Sequence, residues 1–275
     1  LTAKSDIPVL YKQNVTNDLF QLIYVFDMGN NNDKALGTAF DYLEYLGTSD
    51  MTPEELKSEF YRLACTFYVS PGNERTYVVL SGLNENMPAA MQLFEKLLAD
   101  AQVNKEAYDN LVGDILKARA DAKLNQGQNF SRLMNYAMYG PKSPATNLLT
   151  EAELASMNPQ ELVDRIHNQN NYKHRILYYG PSSSKDLLAT IEQYHQVPAT
   201  LKDIPAGNEY SYLETPATKV LVAPYEAKQI YMAQISNLEK KYDPAIEPTR
   251  ELYNEYFGGG MNSIVFQEMR ETRGL

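Results

Sequence analysis

Leu19-Phe20-Gln21-Leu22-Ile23-Tyr24-Val25-Phe26 is the stretch on which the fold turns, because every residue but Gln21 is apolar or aromatic. β-Branched and aromatic side chains favour extended backbone. An apolar run of this length reads as a strand buried on both faces. Asp27 to Asn32 follows with Gly29 and three consecutive asparagines, which is turn chemistry. Asp33 can then cap a helix running to about Leu46, with Leu36, Phe40 and Leu43 on one face and Gly47 as its stop. Strand, turn and helix in this order predict an α/β architecture.

The same alternation continues outward. A helix is predicted from Thr52, with Pro53 in its first turn and Glu54-Glu55 at its positive end. Phe67–Val69 and Thr76–Leu80 read as strands around Pro71-Gly72-Asn73. Asn86 is placed to cap a helix whose Met87, Met91, Phe94, Leu97 and Leu98 form a core-facing stripe. Asn104 to about Tyr139 is helical with a break near Gly127, and Thr150 and Asn158 each start a further helix. Arg175–Tyr179 is a strand, followed by a helix over Ser184–Tyr194. The serines at 182–184 read as a cap, since a phosphate loop would need glycines and a lysine.

Residues 198–216 carry Pro198, Pro205, Gly207 and Pro216 with little apolar periodicity, so they read as a linker between a first domain over 1–197 and a second over 217–275. Two β-like runs, Lys219–Val222 and Gln229–Ile235, and two helices, Pro248–Phe257 and Asn262–Arg270, are expected in the second. That block is short for an α/β domain, and the opening Leu1–Asp6 has neither Met nor an apolar core. The sequence therefore reads as a piece of a longer protein that ends inside its second domain.

Composition excludes several classes of function. With 275 residues, 44% of them apolar and 30 aromatic (21 Tyr, 9 Phe), the chain can build a core and is not a disordered segment. Its 35 acidic against 25 basic residues, a net charge of −10, speak against nucleic acid and anionic membranes as partners. No segment approaches the roughly 20 apolar residues of a spanning helix. Cys65 lies in an apolar stretch and reads as a small buried hydrophobe rather than a catalytic thiol. His167, His174 and His195 are too far apart to form a local zinc motif, and each reads as a packing or surface residue.

Leu252-Tyr253-Asn254-Glu255-Tyr256-Phe257-Gly258-Gly259-Gly260-Met261-Asn262-Ser263-Ile264-Val265-Phe266-Gln267-Glu268-Met269-Arg270-Glu271-Thr272-Arg273-Gly274-Leu275 resembles a hallmark of the pitrilysin/insulinase family of zinc metallopeptidases. In that family a helix ends in a glycine segment, and a capped helix with an Arg-Glu-x-x-Gly-Leu ending follows. Phe26-Asp27-Met28-Gly29, Tyr42–Thr48 and Leu80–Asn86 before a long helix occur in the family's order, so the resemblance spans essentially the whole chain. It implies a mixed, mainly antiparallel sheet packed by helices on one side, followed by the start of a second homologous domain.

Catalytic members of the family carry His-x-x-Glu-His on the helix matching Asp33–Leu46, where two histidines hold zinc and the glutamate activates water. Here the matching residues are Asp41-Tyr42-Leu43-Glu44-Tyr45, so both histidines are replaced, by Asp41 and Tyr45, and only Glu44 remains. The further carboxylate ligand has two candidates, Asp114 and Asp121. The metal site therefore reads as absent, with zinc expected in a catalytic half upstream on the same chain or in a partner subunit. Glu44 reads as a solvated helix carboxylate.

The resemblance implies the non-catalytic, substrate-binding and chamber-closing half of a zinc metalloendopeptidase acting on peptides, inactive by itself. It equally allows a structural member with no peptidase role, like the respiratory-complex core proteins. Arg270 matches an arginine that this half contributes to substrate, and its companion tyrosine would fall two residues beyond Leu275. Arg270 read alone is a cation at a helix C-terminus, and both readings stay open. Gly258, Gly259 and Gly260 likewise read as a plain turn or as a place where another chain approaches the backbone. Many bacterial relatives are exported, which points to the periplasm as a compartment.

Overall fold

Leu19–Phe26 is the central strand, β2, of a five-stranded sheet in this computed structural model, which describes residues 1–226, 229–237 and 242–274. The other strands are β1 (Val9–Gln13), β3 (Cys65–Pro71), β4 (Thr76–Leu83) and β5 (Arg175–Gly180), in the order β1-β5-β2-β4-β3. β2 pairs antiparallel with β4 and β5, and β3 pairs antiparallel with β4. Only β1 runs parallel to its neighbour β5. The sheet is thus mixed and mainly antiparallel. β1 was not recognised from sequence, because Val-Leu-Tyr-Lys-Gln is short and shows weak alternation.

β2 is buried on both faces only in its C-terminal half. Phe20, Leu22, Tyr24 and Phe26 are buried on one face and Val25 on the other, while Leu19 and Gln21 are exposed and Ile23 is half-buried. Helices cover one face only. They are α1 (Leu36–Leu43), α2 (Pro53–Arg62), α3 (Met87–Asp100), α4 (Lys105–Lys123), α5 (Gln126–Tyr139), α6 (Glu151–Ser156), α7 (Gln160–Asn168) and α8 (Ser184–Tyr194). The core lies between this helix layer and the inward residues of the sheet. Met87, Met91, Phe94, Leu97 and Leu98 of α3 meet Phe20, Leu22, Tyr24 and Leu80, with Leu36 and Phe40 of α1 and Leu162 and Ile166 of α7 in the same cluster. Each large side chain so buried contributes roughly 1.5–3 kcal/mol.

Helix starts follow local chemistry. Thr52 and Glu55 form a reciprocal capping box at α2, and Thr150 and Glu153 form another at α6. Asn104 and Ser183 cap α4 and α8. Asn86 does not cap α3; its side-chain amide donates to the Leu63 carbonyl at 2.9 Å, and a 3₁₀ turn over Asn84–Asn86 leads into the helix instead. Gly47 is not a helix stop. α1 ends at Leu43, and Gly47 is needed because a Cβ there would stand 2.3 Å from the Met51 carbonyl oxygen.

The chain divides into two units, one of Leu1–Tyr212 with Leu221–Ala233, the other of Leu213–Val220 with the residues from Gln234 onward. In the second, α9 spans Glu247–Asn254 and widens into a π-type turn over Glu255–Gly259. A second π-type turn covers Phe266–Glu271, and Ser263, not Asn262, caps it by accepting from the Phe266 N–H at 3.3 Å. The runs Lys219–Val222 and Gln229–Ile235 form no strand. A strand exists only through its ladder, and the described residues there offer one exchange, between Thr215 and Asn237.

Candidate functional site

α1 sorts the degenerate motif by face. Tyr42 and Leu43 point into the core at 0% and 2% exposure, whereas Asp41, Glu44 and Tyr45 are exposed. Asp41 lies in the last turn of α1, and Glu44 and Tyr45 follow in the turn beyond its end, where the Tyr45 N–H donates to the Tyr42 carbonyl at 3.0 Å. The Asp41 carboxyl is pushed above its ordinary range by desolvation and by repulsion from Glu44.

That face does not fit zinc. Two carboxylates a turn apart supply neither imidazole, and a tight tetrahedral site needs at least three protein ligands. Among the described residues, no three His, Cys, Asp or Glu side chains cluster where they could hold a metal ion. Asp114 and Asp121 are both exposed on α4.

The C-terminal candidates lie in the second unit. Gly258 and Gly259 sit in the turn that closes α9. A Cβ at Gly258 would meet no atom within 4 Å, and one at Gly260 would meet only the Glu255 side chain at 3.7 Å. Nothing among the described residues therefore demands glycine at those two positions. Arg270 is exposed and its guanidinium carbon stands 5.1 Å from the Phe266 ring centroid. It has the partner that a one-turn spacing provides.

The uncovered sheet face carries a pattern that strand register reveals. Leu10, Leu177, Ile23, Val79 and Tyr68 are cross-strand neighbours in one row across all five strands. Beside it runs a polar row of Lys12, Tyr179, Gln21, Ser81 and Thr66. Leu10 and Tyr68 are 54% and 51% exposed and Tyr179 is 45% exposed, whereas Val79 within the apolar row is buried. A cavity of about 230 Å³ lies over the β1, β5 and β2 part of this face. Directly after β2, Asp27 binds both Arg75 (2.8 Å) and Arg175 (2.6 Å), and these guanidinium groups hold its carboxyl below the usual range, Arg175 most strongly.

Sequence reading missed a buried polar set on the helix side. Glu95 of α3 accepts from the Tyr24 hydroxyl (2.8 Å), the Asn170 side-chain amide (3.0 Å) and the Gln196 N–H (3.0 Å). His195 Nδ1 lies 2.6 Å from Glu95, and its Nε2 lies 2.9 Å from His174 Nε2. Glu95 and His195 are each 1% exposed. The two histidines are 21 residues apart and Glu95 is a further 79 from His174, so no local spacing announces them. A glutamate in the apolar stripe of α3 was the one available signal.

Comparisons place this geometry among known proteins. No family model matches the chain. An uncharacterized zinc protease of Rickettsia felis is 21% identical over 260 residues, covering 90% of this chain and 59% of its own length. The chain thus spans less than two thirds of that curated relative. The peptidase M16 inactive domain from Pseudomonas fluorescens superposes with a TM-score of 0.70 at 16% identity, over 100% of this chain and 68% of that one. The periplasmic protease PqqL from Escherichia coli superposes with a TM-score of 0.64 at 16% identity, over 77% of this chain and 24% of that one. No helix among the described residues is long and apolar enough to cross a membrane. With both zinc-motif histidines replaced on a mainly antiparallel sheet layered by helices on one side, the chain resembles the pitrilysin/insulinase (M16) zinc peptidases and has the fold of their inactive domain.

Proposed function

We propose that this chain is the non-catalytic, substrate-binding and chamber-closing half of a zinc metalloendopeptidase that degrades peptides. The observation that carries this reading is the exposed end of α1 and the turn after it, where Asp41, Glu44 and Tyr45 occupy the motif positions without an imidazole. Zinc and its activated water would come from a catalytic half, on the same chain or in a partner subunit. The domain over 1–197 would be the complete inactive peptidase-like unit, and 217–275 the first part of a second.

The uncovered sheet face suits a peptide. Its apolar row takes side chains, and the adjoining polar row, with Arg175 at the border, takes backbone carbonyls. Arg270 would add a planar, permanently charged donor to a peptide carbonyl. The likeness to a periplasmic protease favours an exported location.

The test combines the chain with a zinc-bearing half of the family and follows peptide hydrolysis. Neither component alone should hydrolyse peptide, and the mixture should. Arg270→Ala and Leu177→Lys should each weaken substrate use by the mixture without changing the circular dichroism of this chain. Chelator-sensitive hydrolysis by this chain alone would overturn the proposal. Stable association with the catalytic half without any gain in hydrolysis would favour a structural role instead.

A further inference from the structure

The hydrogen-bond geometry of Glu95, His195 and His174 counts out a proton in the interior. The four ring nitrogens of the two histidines make three contacts. His174 Nδ1 lies 2.7 Å from the Tyr172 carbonyl oxygen, which can only accept, so that nitrogen carries hydrogen. His195 Nδ1 faces a Glu95 carboxylate that already takes donors from Tyr24, Asn170 and Gln196, so it also donates. The contact between the two Nε2 atoms, at 2.9 Å, needs one hydrogen between them. Three ring hydrogens on two imidazoles make one imidazolium. Burial and the neighbouring His195 push His174 down to about 4, so the charge resides on His195, between Glu95 and His174. The set is then a fully hydrogen-bonded, net-neutral ion pair, the form in which charge is tolerated inside a protein.

Its position gives the proton a mechanical role. Glu95 belongs to α3, and His195 and Gln196 are the first residues beyond α8. Both are bound to Glu95, one through its ring and one through its backbone N–H. The chain beyond them is fastened at Pro198, whose carbonyl accepts from Ser5 Oγ at 2.7 Å. Lys202 then donates to the Asn171 carbonyl at 2.7 Å and accepts from the Lys173 N–H at 2.9 Å, one residue from His174. The segment His195–Lys202 is the path by which the chain leaves the helix layer.

We propose that Glu95, His195 and His174 form a proton-held clamp on the segment His195–Lys202, closed while the shared proton is bound and loosened when it is lost on raising the pH. Without that proton the two Nε2 lone pairs face each other, and the Glu95 charge stays buried against a neutral ring. The unfolded chain gives up its imidazole protons above about pH 6.5. The hydrogen bond between the two Nε2 atoms exists only while the shared proton is bound, so what it contributes to the clamp is lost when that proton leaves. The other groups facing it are the Tyr24 hydroxyl, the Asn170 amide, the Phe26 ring against His174, and His167, which shares a cavity of about 280 Å³ with Glu95 and Asn170. Burial and the Glu95 charge hold the Tyr24 hydroxyl protonated far above its ordinary range, so it does not compete as the titrating group.

The test is nitrogen-detected imidazole NMR of the full chain with amide exchange read in parallel, stepping upward from about pH 6. At neutral pH, His195 should show both nitrogens protonated and His174 a neutral Nδ1–H ring. As the His195 signal titrates, exchange at the Gln196 and Lys202 amides should accelerate about tenfold relative to Ile176 in β5. Glu95→Gln should leave both rings neutral at the same pH. Two neutral rings in the unaltered protein at neutral pH would overturn the proposal. So would a titrating His195 whose deprotonation leaves Gln196 and Lys202 exchange unchanged.

Discussion

The Tyr42 hydroxyl binds both backbone groups of Asn104, donating to its carbonyl oxygen at 2.5 Å and accepting from its N–H at 2.8 Å. Tyr42 is fully buried inside the degenerate motif, and Asn104 is the residue that caps α4. One phenol therefore ties the end of α1 to the start of α4. Tyr42→Phe keeps the ring packing, leaves the Asn104 N–H without its partner and removes one of the two donors to the Asn104 carbonyl, which keeps the Tyr108 N–H at 3.0 Å. It should destabilise the protein by about 1–3 kcal/mol, read as a lower denaturation midpoint with an unchanged slope.

Zinc binding should be partly restorable. Asp41 and Tyr45 are exposed one turn apart with Glu44 beside them. The double variant Asp41→His, Tyr45→His places two imidazoles four residues apart at the exposed end of α1. It should bind zinc in chelator competition, more weakly than a complete three-ligand site, and should not hydrolyse peptide. One tightly held zinc per unaltered chain would contradict the assignment of this face as degenerate.

Glycine is structurally required at one sheet position and dispensable on α4. Gly82 has a φ of +151°, and a Cβ there would lie 2.4 Å from the Ala64 carbonyl oxygen and 2.6 Å from Cys65 Cα. Gly82→Ala should cost at least about 3 kcal/mol, because both contacts are to a neighbouring strand that cannot retreat. Gly113 has nothing within 4 Å of its would-be Cβ. Gly113→Ala should be neutral or stabilise by about 0.5–1 kcal/mol. Parallel thermal melts of the two variants check the contrast.

Acid should weaken the fold through His174. Burial and His195 depress this histidine to about 4 from an ordinary 6.5. Above about pH 6.5 it is neutral in both folded and unfolded chains. Between that pH and about 4 only the unfolded chain takes up the proton, so stability falls as the pH falls through this window, by an amount on the order of 3 kcal/mol. Denaturant midpoints measured at several pH values should decline across it. A His174 ring that becomes protonated near its ordinary value would contradict the prediction.

Much of the fold was legible because its signals are local. The apolar run 19–26, the capping boxes at Thr52 and Thr150, and the Met and Phe stripe of α3 each state their element within a dozen residues. β1 was not legible, since five weakly alternating residues become a strand only when β5 lies beside them. The runs at 219–222 and 229–235 erred in the opposite sense: they have strand composition and no ladder among the described residues. For the candidate site, the replacement of the motif histidines by Asp41 and Tyr45 needed only the order of residues in one helix. The Glu95, His195 and His174 set was invisible, because its members come from α3, the end of α8 and the residue before β5.

The sequence by itself determined the α/β alternation, the positions of most helix starts and the absence of a His-x-x-Glu-His motif, all properties of neighbours along the chain. Only the tertiary structure decided that the first half of β2 is left open on one face, that an apolar row crosses that face, and that two distant histidines share a proton beside a buried glutamate. Those outcomes depend on strand register and on which helix lies over which strand. Both are set by packing between residues far apart in sequence, where no local spacing carries the information.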